Sequence, residues 1–139
     1  MKKRYYSIVL FAALLMAFGS FTAFANNSGD TTYSFEFPFG KNTVYTAARS
    51  KTDASSSYMK LTSMSNKSYS YNATVVNSNY SNFSRVWTYK FTSADINRGR
   101  YLSNYAKEDG ASSVRIKGSR IGSTNTEYWM SGLWSPDSI

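Results

Sequence analysis

The sequence of 139 residues contains no cysteine and no histidine. The absence of cysteine excludes disulfide bonds, thiolate nucleophiles and zinc–thiolate sites. The absence of histidine excludes Ser-His-Asp triads, imidazole general bases and imidazole metal ligands. Stability must therefore come from buried aromatic side chains, for which the chain supplies 12 tyrosines, 9 phenylalanines and 3 tryptophans.

Acidic residues are few, and an enzyme built from this chain would have to use carboxylates. Of the eight Asp and Glu residues, Glu36 and Glu127 fall at outward positions of predicted strands, where solvent keeps a carboxylate ordinary. Asp53 and Asp109 fall in predicted turns, where aspartate commonly bonds its own backbone. The sequence has neither an Asp-x-Asp-x-Asp-Gly calcium loop nor a glycine-rich phosphate loop. We therefore expect no enzymatic activity, no cofactor and no metal.

Long apolar runs are limited to one segment at the N-terminus. A basic start over Met1–Tyr6 precedes an almost wholly apolar stretch over 7–24, and Ala23-Phe24-Ala25 has the small-x-small pattern of a cleavage site. This is the pattern of a secretory signal peptide, and an uncleaved membrane anchor is the alternative. We predict cleavage after Ala25 and a single domain over 26–139 without a further transmembrane segment. We expect this domain to be secreted and extracellular, either free or associated with the cell wall.

The source and the partners follow from the same composition. Small secreted animal domains usually contain disulfides, so a cysteine-free one indicates a bacterial and most simply a Gram-positive exporter. The net charge of +8 falls to +5 without Lys2, Lys3 and Arg4, which would attract anionic envelope polymers or anionic lipid. Solvated strand faces explain the same charges equally well. We expect a cell-wall polymer or another bacterial surface component as partner; the secreted location argues against nucleic acid.

Apolar and polar residues alternate along most of the chain after residue 30. Phe35 and Phe37 flank Glu36, and Tyr89 and Phe91 flank Lys90. A period of two residues is typical of strands with one buried face, and Ser, Asn and Gly between short strands favour an antiparallel sandwich. We predict an all-β antiparallel sandwich of about eight strands after the N-terminal signal helix. The predicted strands cover 31–37, 42–50, 57–63, 69–76, 83–91, 100–107, 112–118 and 126–134.

Two segments of similar sequence lie between predicted strands. Lys51–Ser55 and Lys107–Ala111 both contain Lys-x-Asp, and the second has the Asp-Gly pair typical of hairpin turns. Both are predicted to form hairpins. A shift of 56 residues aligns 32–63 with 88–119, which is explained by chance in a serine-rich chain or by duplication of a three-strand unit. A duplication predicts two similar halves packed face to face. Between the strands, Ser93 is predicted to cap a single helical turn.

The chain ends on Gly132-Leu-Trp-Ser-Pro-Asp-Ser-Ile139. Trp134 shares its parity with Tyr128 and Met130, which predicts an inward side chain on the last strand. Pro136 favours a turn directly after it. We predict that this segment is a structural clasp, with a recognition tag as the alternative.

Exposed aromatic residues are the best candidates for ligand binding. Trp129 has the opposite parity to Trp134 and is expected to face solvent, where an indole can stack on a sugar ring. The alternative is that the aromatic residues belong to the core. The predicted ligand-binding residues are Trp129, Tyr45, Tyr58, Tyr101, Arg98 and Arg100.

Three segments carry a resemblance to known proteins: Ala48–Ser63, Arg100–Ser113 and Gly132–Ser138. Through them and the signal segment, the chain resembles small uncharacterised secreted proteins of Gram-positive bacteria, which implies export and no particular activity. Through Ser70–Asn79 it more loosely resembles the lactococcin 972-like bacteriocins, secreted small β-sandwich proteins directed at cell-wall synthesis. Our interpretation is a non-enzymatic binding protein of the bacterial cell surface, whose ligands are anionic or glycan polymers. A bacteriocin-like antimicrobial and a carbohydrate-binding module are the alternatives.

Overall fold

The computed structural model describes residues 27–138, so the predicted signal segment and its cleavage site at Ala25 lie outside the described residues. Within this range no helix is long and apolar enough to cross a bilayer. The described residues form nine strands and one 3-10 helix. The strands are β1 (Thr31–Phe37), β2 (Thr43–Tyr45), β3 (Arg49–Ser50), β4 (Ser57–Met64), β5 (Ser70–Asn77), β6 (Tyr89–Phe91), β7 (Gly99–Leu102), β8 (Ser113–Ile121) and β9 (Tyr128–Ser135), and the 3-10 helix spans Ser93–Asp95.

The strands form two antiparallel sheets. The four-stranded sheet has the order β1-β9-β4-β7. The five-stranded sheet has the order β2-β8-β5-β6, and β3 also pairs with β8. The predicted all-β antiparallel sandwich is confirmed, with nine strands in the described residues where the sequence predicted about eight.

An aromatic core fills the space between the sheets. Phe35 of β1 meets Tyr71 of β5 edge-on at a centroid distance of 5.4 Å, and Tyr71 stacks on Phe91 at 5.2 Å. The Tyr33 and Tyr71 hydroxyls hydrogen-bond at 2.8 Å across the sandwich. Burial raises the pKa of both phenols well above the usual value, so both stay neutral. Aromatic burial therefore supplies the stability that disulfides provide in many small secreted domains.

The last strand and the two residues that follow it lie inside the fold. Because β9 is an interior strand, Trp134 reaches the core and is only 1% exposed, as its parity predicted. Gly132 is required in the same strand, since a Cβ there would lie 1.9 Å from the Lys60 carbonyl oxygen. Pro136 and Asp137 follow and are buried as well. The inward position of Trp134 is confirmed, and the choice between a clasp and a recognition tag stays a prediction.

The strand predicted over 83–91 is wrong except for its last three residues. Its side chains make separate contacts that hold the segment out of both sheets. Phe83 is buried in the core, Ser84 donates its backbone N–H to Asp109 at 2.6 Å, and the Arg85 guanidinium lies 5.5 Å from the Trp87 ring centroid. Alternation in the sequence here reflects side-chain anchoring and not a paired strand.

Two further predicted strands are shorter than expected. The segment 42–50 is divided into β2 and β3, because the Thr46 hydroxyl accepts the Ile116 N–H at 3.0 Å between them. The segment 100–107 leaves its sheet after Leu102, and a tight turn closed by the Ala111 N–H on the Ala106 carbonyl follows.

The two hairpin predictions are wrong. Lys51–Ser55 joins β3 in the five-stranded sheet to β4 in the four-stranded sheet. Lys107–Ala111 lies between β7 in the four-stranded sheet and β8 in the five-stranded sheet. The turn chemistry is present, since Gly110 has a φ of 75°. The turns redirect the chain between sheets, which turn residues alone do not reveal.

The predicted helical turn is present, but its cap is Thr92 and not Ser93. The Thr92 hydroxyl accepts the Ala94 N–H at 3.3 Å, and the Asp95 carboxylate accepts the Thr92 N–H at 2.8 Å. This reciprocal arrangement is a capping box and needs the acidic residue three positions after the cap.

The strand order has the symmetry that an internal duplication predicts. Exchanging β1 with β6, β2 with β7, β4 with β8 and β5 with β9 turns the order β1-β9-β4-β7 into β6-β5-β8-β2, which is the order of the other sheet. The halves are interleaved, since each contributes strands to both sheets, so the predicted packing of two halves face to face is wrong. The exchange also relates four strands in each half, where the sequence predicted a three-strand unit. The ungapped shift of 56 residues aligns β4 with β8 one residue out of register. It pairs the inward-facing Met59 with Arg115, whereas the inward-facing residue of β8 is the next one, Ile116.

Candidate functional site

A row of adjoining depressions follows the edge of the sandwich where β1 and β2, the edge strands of the two sheets, lie side by side. Three depressions of about 460, 500 and 530 Å³ succeed one another along β1. The first two share Ser34 and Tyr45, and the second and third share Glu36. Open depressions that follow one another along a strand suit an extended polymeric ligand. We call this row of depressions the β1 groove, and its principal side chains are Arg49, Tyr45, Tyr80, Arg115, Glu36, Glu127 and Trp129.

Tyr80 stands in the middle of the groove in a strained conformation. Its φ is 72°, a left-handed value that bulky residues rarely adopt. A tight turn imposes it: the Tyr80 N–H donates to the Asn77 carbonyl at 2.9 Å, and the Asn79 side chain accepts the Ser81 N–H at 3.0 Å. The ring is nevertheless 52% exposed, so core packing does not account for this strain. Strained residues with exposed side chains are concentrated at functional sites.

The Arg115 guanidinium packs against the Tyr80 ring and the turn that carries it. Arg115 donates to the Ser78 carbonyl at 2.9 Å and to the Thr46 carbonyl at 3.0 Å, and its guanidinium carbon lies 4.5 Å from the Tyr80 ring centroid. The Tyr45 ring meets Tyr80 edge-on at 4.8 Å. The two exposed rings therefore form a rigid aromatic pair with a positive charge behind it.

Trp129 stands at one end of the groove. Its indole is 44% exposed on the outer face of the four-stranded sheet. Two hydrogen bonds with Ser65, at 2.9 and 3.0 Å, fix its backbone. Glu36 lies directly opposite Trp129 on β1, and Glu127 precedes it by two residues. An aromatic face and two carboxylates thus share one depression of about 530 Å³.

Arg49 closes the other end of the groove. It donates to the Trp134 carbonyl at 3.0 Å, the Gly29 carbonyl at 2.8 Å and the Thr31 hydroxyl at 3.1 Å. Its guanidinium also lies 5.4 Å from the Trp134 ring centroid. These contacts hold the first described residues against β9, so the role of Arg49 is structural.

The structure brings two of the predicted ligand-binding residues, Trp129 and Tyr45, into the β1 groove. Tyr58 and Tyr101 form a separate pair on β4 and β7 with a centroid distance of 5.7 Å. Tyr58 lies opposite Ser135, six residues along β9 from Trp129, which corresponds to roughly 20 Å of strand. The four aromatics therefore do not form one surface.

The two predicted arginines differ in their contacts. Arg98 is exposed. Arg100 donates to the Lys90 carbonyl at 2.5 Å, lies 3.5 Å from the Asp95 carboxylate and places its guanidinium 5.2 Å from the Phe91 ring centroid. Arg100 thus joins the edges of the two sheets, and a role of either arginine in ligand binding stays a prediction.

Sequence reasoning missed Tyr80, Arg115 and the position of Glu36 beside Trp129. The signal for a tight turn was present in Asn77-Ser-Asn-Tyr-Ser81, because Asn and Ser favour such turns. The sequence does not show that this turn packs against β2 and β8, since those strands are distant along the chain.

A buried ion pair lies outside the groove. The Lys51 ammonium is 2.7 Å from the Asp137 carboxylate, and both side chains are fully buried. Lys51 also donates to the Ser55 carbonyl at 2.5 Å, while Asp137 accepts the Thr52 hydroxyl at 2.5 Å and the Asn27 N–H at 3.0 Å. Burial opposes ionisation of Asp137, but the bonds from Lys51 and Thr52 outweigh it and hold its pKa well below the usual value. Because both charged groups have hydrogen-bond partners inside the fold, the role of this ion pair is structural.

Across residues 27–138, no three acidic side chains come close enough together to hold a metal ion. Neither the curated proteins nor the solved structures contain a match to the chain. A family model described as "Protein of unknown function (DUF2712)" matches residues 21–138, which include all nine strands and the whole β1 groove. The chain belongs to the DUF2712 family.

Proposed function

We propose that the protein is a secreted, non-enzymatic binding protein that holds a glycan of the bacterial cell surface in the β1 groove. One observation carries the proposal: Tyr45, Tyr80 and Trp129 are all exposed along a single groove, and Tyr80 is held there at the cost of backbone strain. Such strain costs about 1–3 kcal/mol and persists where the surrounding structure imposes it.

The groove has the chemistry that a sugar chain requires. Aromatic faces cover the apolar faces of sugar rings, and nearby polar groups bond the hydroxyls. Ser34 and Thr43 line the depression beside Tyr45 and Tyr80. Because the three depressions follow one strand, successive sugar units can occupy successive depressions.

The test is sedimentation of purified residues 26–139 with insoluble cell-wall glycan from which anionic polymers have been stripped. We expect the wild type to bind and to remain bound at high salt, because stacking on aromatic rings does not depend on charge. The double variant Tyr45→Ala/Tyr80→Ala removes the aromatic pair, and we expect its affinity to fall at least about tenfold.

Tyr101→Ala is the matched control. Tyr101 is 63% exposed, more than either groove tyrosine, but it lies on β7 away from the groove. We expect this variant to bind as the wild type does. Equal binding by the groove variant and the wild type, or no binding by the wild type, would overturn the proposal.

A second candidate ligand is an anionic surface polymer. Seven basic side chains of the described residues make no hydrogen bond, ion pair or contact with an aromatic ring, and one of them, Lys41, lines the groove. Binding that disappears with the anionic polymers, or at high salt, would replace the glycan with this ligand. Bacteriocin-like activity stays a prediction of the resemblance, and growth inhibition by the purified domain tests it. The seven are Lys41, Lys60, Lys67, Lys90, Arg98, Lys107 and Lys117.

A further inference from the structure

The Trp129 end of the β1 groove differs in charge from the rest of the molecule. Glu36 and Glu127 are both exposed and both line the depression that contains Trp129. Glu36 is opposite Trp129 in the antiparallel register, and Glu127 immediately precedes β9, two residues before Trp129. Side chains at directly opposite positions project from the same face and lie within reach of one another, and Glu127 lines the same depression as this pair.

Neither carboxylate has a partner within the described part of the chain. Glu36 and Glu127 take part in no ion pair and accept no hydrogen bond. Four aspartates behave differently, since each accepts hydrogen bonds from nearby groups. They are Asp53, Asp95, Asp109 and Asp137.

Two described cations lie near this end of the groove. Lys41 lines the adjoining depression together with Glu36 but forms no ion pair with it, and Arg120 is occupied by other contacts. The Arg120 guanidinium lies 4.9 Å from the Tyr128 ring centroid, close to the depression. Its nitrogens donate to five backbone carbonyls, so its function is to hold the surrounding loops together. Two carboxylates that form no ion pair within the described residues therefore line one depression with an exposed indole.

This combination selects a cation. An ammonium group is attracted to the face of a tryptophan ring and to carboxylates at the same time. Binding of uncharged glycan hydroxyls does not require the two negative charges of Glu36 and Glu127. Resting on the proposed function, we infer that the Trp129 end of the groove binds a protonated primary amine carried by the glycan, that is, an amino sugar lacking its N-acetyl group.

The test compares two oligosaccharides that differ only in this group. Calorimetric titration of residues 26–139 with a glucosamine tetrasaccharide and with the N-acetylglucosamine tetrasaccharide is carried out at mildly acidic pH. The free amine of the ligand is then protonated. We expect at least about tenfold tighter binding of the free-amine ligand, which corresponds to about 1.4 kcal/mol.

Two variants test whether Glu36 and Glu127 cause the preference for the free-amine ligand. Glu36→Gln/Glu127→Gln keeps the shape and removes both charges, so we expect the preference to vanish while binding of the N-acetylated ligand remains. Glu108→Gln is the matched control, because Glu108 is equally exposed and lies outside the groove. It should leave the preference unchanged.

The outcomes separate this inference from the proposed function. Equal affinity for the two ligands, or a preference for the N-acetylated one, overturns the inference and leaves glycan binding intact. A preference that survives in the double glutamine variant overturns the assignment to Glu36 and Glu127. Binding of neither ligand, together with failure on wall glycan, overturns both proposals.

Discussion

The two connections that carry the chain between the sheets, Lys51–Ser55 and Lys107–Ala111, are alike in sequence and opposite in environment. Lys51 is 2% exposed and bonded to Asp137, whereas Lys107 is exposed. The aspartates differ as well: Asp53 accepts its own loop's Ser55 N–H at 2.8 Å, as predicted for a turn. Asp109 instead reaches Ser84, which lies 25 residues away. The prediction that Asp109 bonds its own backbone is therefore wrong.

The difference comes from the end of the chain. Asp137 has been placed beside Lys51 by the interior strand β9 and the turn at Pro136. The described residues give Lys107 no such partner. A local motif therefore does not determine whether its lysine is structural or solvated; the partner brought by a distant segment does.

The largest effect is expected from removing one member of the buried pair. Lys51→Ala leaves the Asp137 carboxylate buried without its counter-ion, which costs about 3–5 kcal/mol of unfolding free energy. Lys107→Ala should change that free energy by no more than about 0.5 kcal/mol. Urea denaturation followed by tryptophan fluorescence measures both, and equal effects of the two variants would break the comparison.

Acidification tests the same pair. Because the pKa of Asp137 is lower in the folded state than in the unfolded chain, its contribution to stability is complete above the usual carboxyl value. The contribution is lost as the pH falls below about 4, towards the folded-state pKa. Unfolding free energies should therefore fall on acidification in the wild type and less steeply in Lys51→Met/Asp137→Leu. Identical acid profiles of the two proteins would contradict the role assigned to Asp137.

A smaller effect is expected at the turn of the second connection. Gly110 has a φ of 75°, so Gly110→Ala is strained and should cost about 1 kcal/mol. Ala54 stands at the corresponding place in the first connection and is not among the residues with positive φ. If Gly110→Ala melts at the wild-type temperature, the two turns do not differ as described.

The smallest effect is expected at the exposed aspartate of the second connection. Bonds from the Ser84 hydroxyl and N–H lower the pKa of Asp109. Asp109→Ala should release the segment around Ser84 with a loss of stability well below that of Lys51→Ala. Amide hydrogen exchange at Ser84 measures the release, and unchanged protection there would show that the bond does not anchor the segment.

Periodicity was sufficient for much of the fold. Alternation around Phe35 and around Trp134 identified strands and inward faces, because a half-buried strand imposes a period of two. It failed around Arg85, where side chains anchor an unpaired segment. It also could not assign strands to sheets, since pairing between residues such as Tyr58 and Ser135 depends on long-range contacts.

The candidate site was predictable in part. The alternation of residues along the strands predicted that Trp129 and Glu36 face solvent, and both are exposed. The groove itself depends on two edge strands from different sheets coming together, and on the turn that holds Tyr80 against Arg115. The turn has a local signal in Asn77–Ser81, but its packing against Arg115 and the meeting of the two edge strands depend on long-range contacts.

The central claim is that the β1 groove binds a glycan, and two-dimensional ¹H–¹⁵N NMR of residues 26–139 during titration with the wall oligosaccharide tests it most directly. We predict saturable shifts of the Trp129 indole N–H and of the amides around Tyr45 and Tyr80, with little change at Tyr58 and Tyr101. Shifts centred on Tyr58 and Tyr101, or no shifts at Trp129, would contradict the account.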